Sequence, residues 1–287
     1  MNSLKDARQN PRTWKNVPTR SVNVRGTEFA YRELGPGGEV PVIFLNHLYA
    51  ELDRWDPRLV NGIAAERRVI VFDNRGVGAS EGTTPDSVEA MADDAIAFIR
   101  ALGLERVDLL GFSLGGFISQ VIALREPQLV RKMILAGTGP AGGEGIGRMT
   151  GVMIRGVISG VLTFKHPEYH LFFTRTANGR KAARDFLRRA NERRVDRDKA
   201  VSPATLIAQL KAIRGWGHQA PDDLSLIKHP VLVANGDQDK MVPTRNSLDL
   251  ARRLPNVELA LYDDAGHGGI FQYHEQFVAS ALAFLAS

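Results

Sequence analysis

Hydrophobic and polar positions are arranged in two ways along this chain. Residues 21–24 and 28–32 alternate around Arg25-Gly26-Thr27, which predicts a β-hairpin. Further on, short apolar runs rich in β-branched residues predict strands that are covered on both faces. These runs are residues 40–45, 68–72, 107–110, 132–136 and 231–234.

Amphipathic segments of helical length lie between these runs. Residues 85–102 end at Gly103, and residues 114–124 end near Pro127. Strands that alternate with helices predict an α/β fold, with a mostly parallel central sheet flanked by helices.

The alternation stops between residues 139 and 223, where we find no clear strand run. The best helices there are residues 181–191 and residues 203–213, the latter with Ser202 as its N-cap. We therefore expect a helical cap inserted between two strands of the sheet. The predicted organisation is a polar N-terminal tail (1–20), a first core segment (21–138), the cap insertion (139–223) and a second core segment (224–287).

Composition narrows the class of protein. The 287 residues are 44% hydrophobic and 24% charged, with a net charge of +5, as is ordinary for a globular protein. The absence of cysteine excludes disulfide scaffolds, thiolate metal sites and cysteine nucleophiles. Residues 1–20 contain no apolar signal region, and the apolar stretch 151–164 is too short to span a membrane and contains Arg155. We expect a cytoplasmic protein without a membrane partner, and a buried or half-buried helix at 151–164.

Two clusters invite other functions. Residues 180–199 hold nine basic side chains, but interleaved acids and few aromatics favour a solvated helix face over a nucleic-acid partner. His166 and His170 have i, i+4 spacing, yet Pro167 interrupts them and no third ligand is evident, so we expect no metal site. The oligomeric state is not predicted.

Candidate chemistry centres on L-L-G-F-S-L-G-G, residues 109–116. Ser113 lies where a strand run ends and a helical segment begins. Small residues at Gly111 and Gly115 permit a sharp turn that exposes the hydroxyl, and the following helix N-terminus offers free N–H groups to an oxyanion.

A serine hydroxyl needs a base, and that base needs an orienting acid. Asp237 and Asp239 follow the strand run 231–234, and His267 lies in D-D-A-G-H-G-G, residues 263–269. On position alone, either aspartate could orient the histidine.

Several motifs together resemble those of the α/β-hydrolase family, which includes esterases, lactonases and cofactor-free haloperoxidases. They are D-N-R-G-V-G-A-S (73–80), G-F-S-L-G (111–115), G-D-Q-D-K-M-V-P (236–243) and A-G-H-G (265–268). The resemblance implies Ser113 as nucleophile, His267 as general base and Asp239, by the family's G-x-x-D-x-x-V-P spacing, as orienting acid.

The resemblance also implies an oxyanion hole made of the backbone N–H groups of Leu48 and Leu114. Asn46-His47-Leu48 stands where the family usually has H-G-x. Asn46 lies nine residues before Trp55, which is the distance that often separates the family's histidine from its tryptophan. His47 could face the pocket or serve only the loop backbone. The other side chains that we expect to line the pocket, by adjacency to the motifs, are Tyr49, Phe112, Trp216, Met241 and Ile270.

The expected function is cofactor-independent cleavage of an ester or lactone bond of a small molecule through an acyl-enzyme. Relatives with this triad also cleave carbon–carbon bonds or form peracids, and some proteins of the fold are small-molecule receptors with little turnover. These alternatives stay open from the sequence.

Overall fold

The computed structural model describes residues 12–287. In this part of the chain the strands form one eight-stranded sheet of order β1-β2-β4-β3-β5-β6-β7-β8. β1 and β2 form the predicted hairpin and pair antiparallel, β2 is antiparallel to β4, and the remaining pairs are parallel. The strands are β1 (Arg20–Val24), β2 (Thr27–Leu34), β3 (Val42–Leu45), β4 (Val69–Phe72), β5 (Val107–Phe112), β6 (Val130–Ala136), β7 (Val231–Gly236) and β8 (Val257–Tyr262).

Helices cover both faces of the sheet, which explains why the sequences of β3 to β7 are mostly apolar. Every residue of β3, β4, β5 and β7 is buried. The α-helices of the described chain are α1 (Pro57–Ala64), α2 (Val88–Ala101), α3 (Leu114–Arg125), α4 (Met149–Thr163), α5 (Pro167–Leu171), α6 (Ala177–Ala190), α7 (Pro203–His218), α8 (Arg245–Arg253), α9 (Gly269–Gln272) and α10 (His274–Ala286).

The order of the strands fixes where a site can form. The chain places β4 outside β3, then returns to add β5 to β8 on the other side of β3. Residue Leu45 at the end of β3 pairs with Gly111 near the end of β5. At such a reversal the loops after neighbouring strands diverge and leave a crevice at the carboxyl edge of the sheet.

Residues 139–223 contain α4 to α7 and no strand, and they connect β6 to β7. We call this segment the helical insertion. One buried ion pair ties it to the core, because Arg189 of α6 donates to Asp56, the N-cap residue of α1, at 2.6–3.0 Å. A second arginine, Arg193, donates to the carbonyls of Trp14 and Val17.

These contacts correct two expectations. The basic run 180–199 is not simply a solvated face, since Arg189 and Arg193 are buried. The predicted polar tail lies outside the described residues up to residue 11, and beyond that point Trp14 and Val17 are buried in the core. Because the residues around Trp14 and Val17 are polar, the sequence pattern did not indicate that these two side chains are buried.

Helix α4 leaves much of its apolar surface exposed. It packs through Gly156 and Gly160, whose missing side chains admit Leu171 and the backbone of Lys165. The opposite face is open, and Phe164 just after the helix is 98% exposed. Among the described residues no helix is both long and apolar enough to cross a membrane.

Candidate active site

Ser113 occupies a strained turn between β5 and α3. Its backbone has φ 55° and ψ −114°, a conformation that L-residues rarely adopt. The peptide is held in place because Ser113 N–H donates to the carbonyl of Ala136 at 2.9 Å, and the hydroxyl of Thr138 donates to the Ser113 carbonyl at 2.8 Å. Strain of this kind persists only where the surrounding structure fixes it, and it is concentrated at functional sites.

The two flanking glycines are required by close packing. A Cβ on Gly115 would overlap the carbonyl oxygen of Leu45 in β3, and one on Gly111 would overlap the carbonyl of Gly115 and the hydroxyl of Ser119. The turn can therefore press against β3 only because both positions lack side chains. This agrees with the steric argument made from the sequence.

His267 and Asp239 are joined at the edge of the sheet. Asp239 follows β7 and His267 follows β8, and His267 Nδ1 lies 2.7 Å from Asp239 Oδ2 with both side chains buried. The other oxygen, Asp239 Oδ1, accepts from the backbone N–H groups of Met241 and Val242 at 2.8 and 3.1 Å. The carboxylate is thus held in one orientation. His267 Nε2 is buried without a partner among residues 12–287.

The neighbouring aspartates, Asp237 and Asp264, bond to other groups than His267. Asp237 accepts from the backbone N–H of Ala265 at 3.2 Å, so it braces the histidine loop. Asp264 accepts from the hydroxyls of Thr174 and Thr176 and thereby links this loop to the helical insertion. Of the two aspartates after β7, Asp239 is the one bonded to the histidine.

The loop after β3 is organised by Asn46. The indole N–H of Trp55 donates to Asn46 Oδ1 at 2.6 Å, and Asn46 Nδ2 donates to the Phe72 carbonyl at 3.1 Å. Asn46 and Trp55, which are nine residues apart in the sequence, are therefore in direct contact. No acceptor for the N–H groups of Leu48 or Leu114 is found within the described chain.

A cavity of about 410 Å³ opens above Ser113 and His267. The predicted residues His47, Leu48, Tyr49 and Met241 line it. Phe112, Trp216 and Ile270 do not, and this corrects the expectation from adjacency.

Each of the three lies in the core for a clear reason. Phe112 packs under the turn against Trp55 and Phe271. Trp216 stacks on Phe117, and its N–H donates to the Gly139 carbonyl at 3.3 Å. Ile270 is only 1% exposed.

The helical insertion supplies most of the remaining wall. The lining residues that it contributes are Met153, Val157, His166, Pro167, Glu168, Leu171, Phe172, Ala200, Val201 and Leu206. None was singled out as a pocket residue from the sequence, because no short motif marks which face of an inserted helix turns towards the sheet.

One part of the wall is polar. Arg54 donates to both oxygens of Glu168, so the loop after β3 and helix α5 are joined across the cavity rim. Glu51 lies beside this pair, and burial raises its pKa to about 7. His47 is also buried, and loss of hydration lowers its pKa to about 4. In the part of the chain that the structure describes, no three acidic or histidine side chains are grouped to hold a metal ion.

Comparison with known proteins agrees with the fold. The sequence profile of the alpha/beta hydrolase fold matches residues 40–272. The chain belongs to the α/β-hydrolase fold family, and its hydrolase relatives identify it as an enzyme.

Three similar proteins illustrate the range of the family. A protein of Rhizobium rhizogenes provisionally named carbamate hydrolase RutD is 31% identical over 234 residues, covering 80% of this chain and 87% of the relative. An alpha/beta hydrolase fold protein from Chitinophaga pinensis has 40% identity and a TM-score of 0.92, covering 96% and 100% of the two chains. The enol-lactonase of Burkholderia xenovorans LB400 shares the fold, with 22% identity and a TM-score of 0.74 over 93% and 100% of the chains.

Proposed function

We propose that this hydrolase cleaves an ester or lactone bond of a small molecule through an acyl-enzyme, with Ser113 as nucleophile. The observation that carries the proposal is the shared cavity: Ser113 and His267 both line it, and His267 is bonded to the fixed carboxylate of Asp239. A strained serine beside an oriented histidine is the arrangement that nucleophilic acyl transfer needs.

The chemistry follows from the hydrogen-bond directions. Because Asp239 accepts from His267 Nδ1, Nε2 is the unprotonated nitrogen of the neutral ring. Nε2 takes the proton of Ser113 while Oγ bonds to the substrate carbonyl carbon. The resulting oxyanion is stabilised by the N–H groups of Leu48 and Leu114.

His267 then returns the proton to the departing alcohol oxygen as the C–O bond breaks. A water molecule, deprotonated by His267, attacks the acyl-enzyme and releases the acid and Ser113. Every proton moves through Nε2, and no cofactor takes part.

The cavity supports a small substrate with an apolar body. Its volume of about 410 Å³ lies in the range of ligand pockets, and most of its lining is aliphatic or aromatic. The lactonase likeness is compatible with a cyclic ester. A carbamate is a second candidate, because the relative of 31% identity is named for carbamate hydrolysis and the same acyl transfer would cleave it.

Hydrolysis of p-nitrophenyl esters from acetate to octanoate tests the proposal. Wild type should turn over many times, and Ser113→Ala should lose at least about 10³-fold in kcat/KM. Ser225→Ala, at an exposed serine remote from the cavity, is the matched control. Equal rates for wild type and Ser113→Ala would refute Ser113 as nucleophile, and binding without turnover would favour a receptor.

A further inference from the structure

Two polar side chains that line the cavity, His47 and Glu51, are not used by the proposed reaction. His47 Nε2 and Glu51 Oε2 are buried and have no hydrogen-bond partner among residues 12–287. Their residues are 4% and 9% exposed, and both line the cavity that contains Ser113. A buried polar atom left unpaired destabilises the fold and therefore needs an explanation, and a bound ligand supplies one at a cavity.

The hydrogen-bonding role of His47 is fixed by its backbone contact. Nδ1 lies 2.9 Å from the carbonyl oxygen of Leu48, which can only accept, so Nδ1 carries the proton. Nε2 is then a lone-pair acceptor. Burial lowers the pKa of His47 to about 4, so the ring stays neutral near pH 7. Its edge contacts with Phe112 and Phe172 hold the ring in this orientation.

Glu51 adds a group of adjustable character. Burial raises its pKa to about 7, against the attraction of Arg54, while Asp53 and Asp198 favour the protonated form. Near neutral pH its carboxyl group can therefore either accept or donate. Arg54 itself is bonded to Glu168 and does not neutralise Glu51 by contact.

We propose that His47 and Glu51 form a polar subsite that selects substrates carrying a hydroxyl or N–H group near the scissile carbonyl. The inference rests on the proposed function and specifies its substrate class. His47 Nε2 can be satisfied only by a donor, which a plain alkyl ester lacks. His47 also adjoins Leu48, whose N–H we assign to the oxyanion, so the donor would bind close to the reacting carbon.

Matched esters test this subsite on either side of the scissile bond. Ethyl lactate and ethyl isobutyrate differ by hydroxyl against methyl on the acyl side, and 2-hydroxyethyl acetate and propyl acetate differ in the same way on the alcohol side. Release of acid, followed by pH-stat titration, gives the ratio of kcat/KM within each pair. A ratio cancels any general loss of activity in a variant.

Two substitutions separate the roles of the ring nitrogens. His47→Asn places an amide near the Nδ1 position and removes the acceptor, whereas His47→Gln places an amide oxygen near Nε2. We expect wild type to prefer the hydroxyl ester in at least one pair, His47→Asn to reduce that preference roughly 5- to 10-fold, and His47→Gln to retain most of it.

The outcomes distinguish the two proposals. Absence of a hydroxyl preference in both wild-type pairs, or an unchanged ratio in His47→Asn, overturns the subsite. Ester hydrolysis that survives Ser113→Ala overturns the proposed function instead. Competitive inhibition of the wild type by lactamide and by isobutyramide tests the same hydroxyl preference without any substitution. We expect lactamide to inhibit more tightly than isobutyramide.

Discussion

Replacing Glu51 by glutamine should change how the stability of this enzyme depends on pH. Glu51 is 9% exposed, and burial is the largest influence on its pKa, which rises from 4.5 to about 7 in the folded protein. Glutamine has nearly the same size and cannot ionise. The substitution therefore removes the proton equilibrium and leaves the packing of the loop after β3 largely in place.

The sign and size follow from linkage. Below pH 4.5 Glu51 is protonated in both folded and unfolded chains, so it causes no pH-dependent loss. Between pH 4.5 and 7 only the unfolded chain ionises freely, and the folded state is progressively disfavoured. Above pH 7 the loss is complete, and the shift from 4.5 to about 7 corresponds to at most about 3 kcal/mol.

Urea unfolding at pH 4.5, 6 and 8 measures this difference. The gain in free energy of unfolding of Glu51→Gln over wild type should be smallest at pH 4.5, should increase through pH 6 and should level off near pH 8. Glu105→Gln, at an exposed glutamate, is the control and should show no such trend. A difference that is constant with pH, or that grows as pH falls, would refute the assignment of a buried, protonated Glu51.

Further substitutions probe the site and its support. Asp239→Asn should lower kcat by about 10⁴-fold because the histidine loses its orienting carboxylate, whereas Asp237→Asn should have a much smaller effect in the same ester assay. Arg189→Met should lower the free energy of unfolding by about 3–5 kcal/mol in urea, because it leaves a buried carboxylate unpaired. Gly115→Ala should prevent stable folding. At Gly151 in α4 an added Cβ meets open space, so Gly151→Ala should raise the free energy of unfolding by up to about 1 kcal/mol.

Each of these expectations has a contrary result. Comparable losses of kcat in Asp239→Asn and Asp237→Asn would mean that Asp239 does not act through His267. For the ion pair, Arg188→Met at the exposed neighbouring position is the control, and an equal effect there would point to helix propensity instead. A well-folded Gly115→Ala would contradict the tight packing of the turn on β3.

The central strands and the histidine and serine turns could be predicted because local rules govern them. A strand covered on both faces needs a mostly apolar sequence, and β3, β4, β5 and β7 have one. The turn at Ser113 needs glycines on each side for steric reasons. Neighbouring residues in the sequence determine these features, so they can be predicted without knowledge of distant contacts.

The pocket and the buried arginines depend on distant contacts and could not be predicted in this way. Phe112 adjoins Ser113 in sequence, yet its ring packs under the turn while the serine faces the cavity. Arg189 belongs to a charged helix and is buried only because Asp56, 133 residues away, receives it. Adjacency to a motif does not determine side-chain direction, and charge does not determine burial when a partner is remote.

The cavity wall has two independent origins, and this has an evolutionary consequence. Ser113, Asp239 and His267 stand on loops of the sheet, whereas Met153, Leu171 and Leu206 come from the helical insertion. Random substitution of the insertion's lining can alter substrate range while the proposed catalytic groups keep their geometry. Laboratory evolution of this enzyme towards new substrates should accordingly accumulate its first useful changes in residues 139–223.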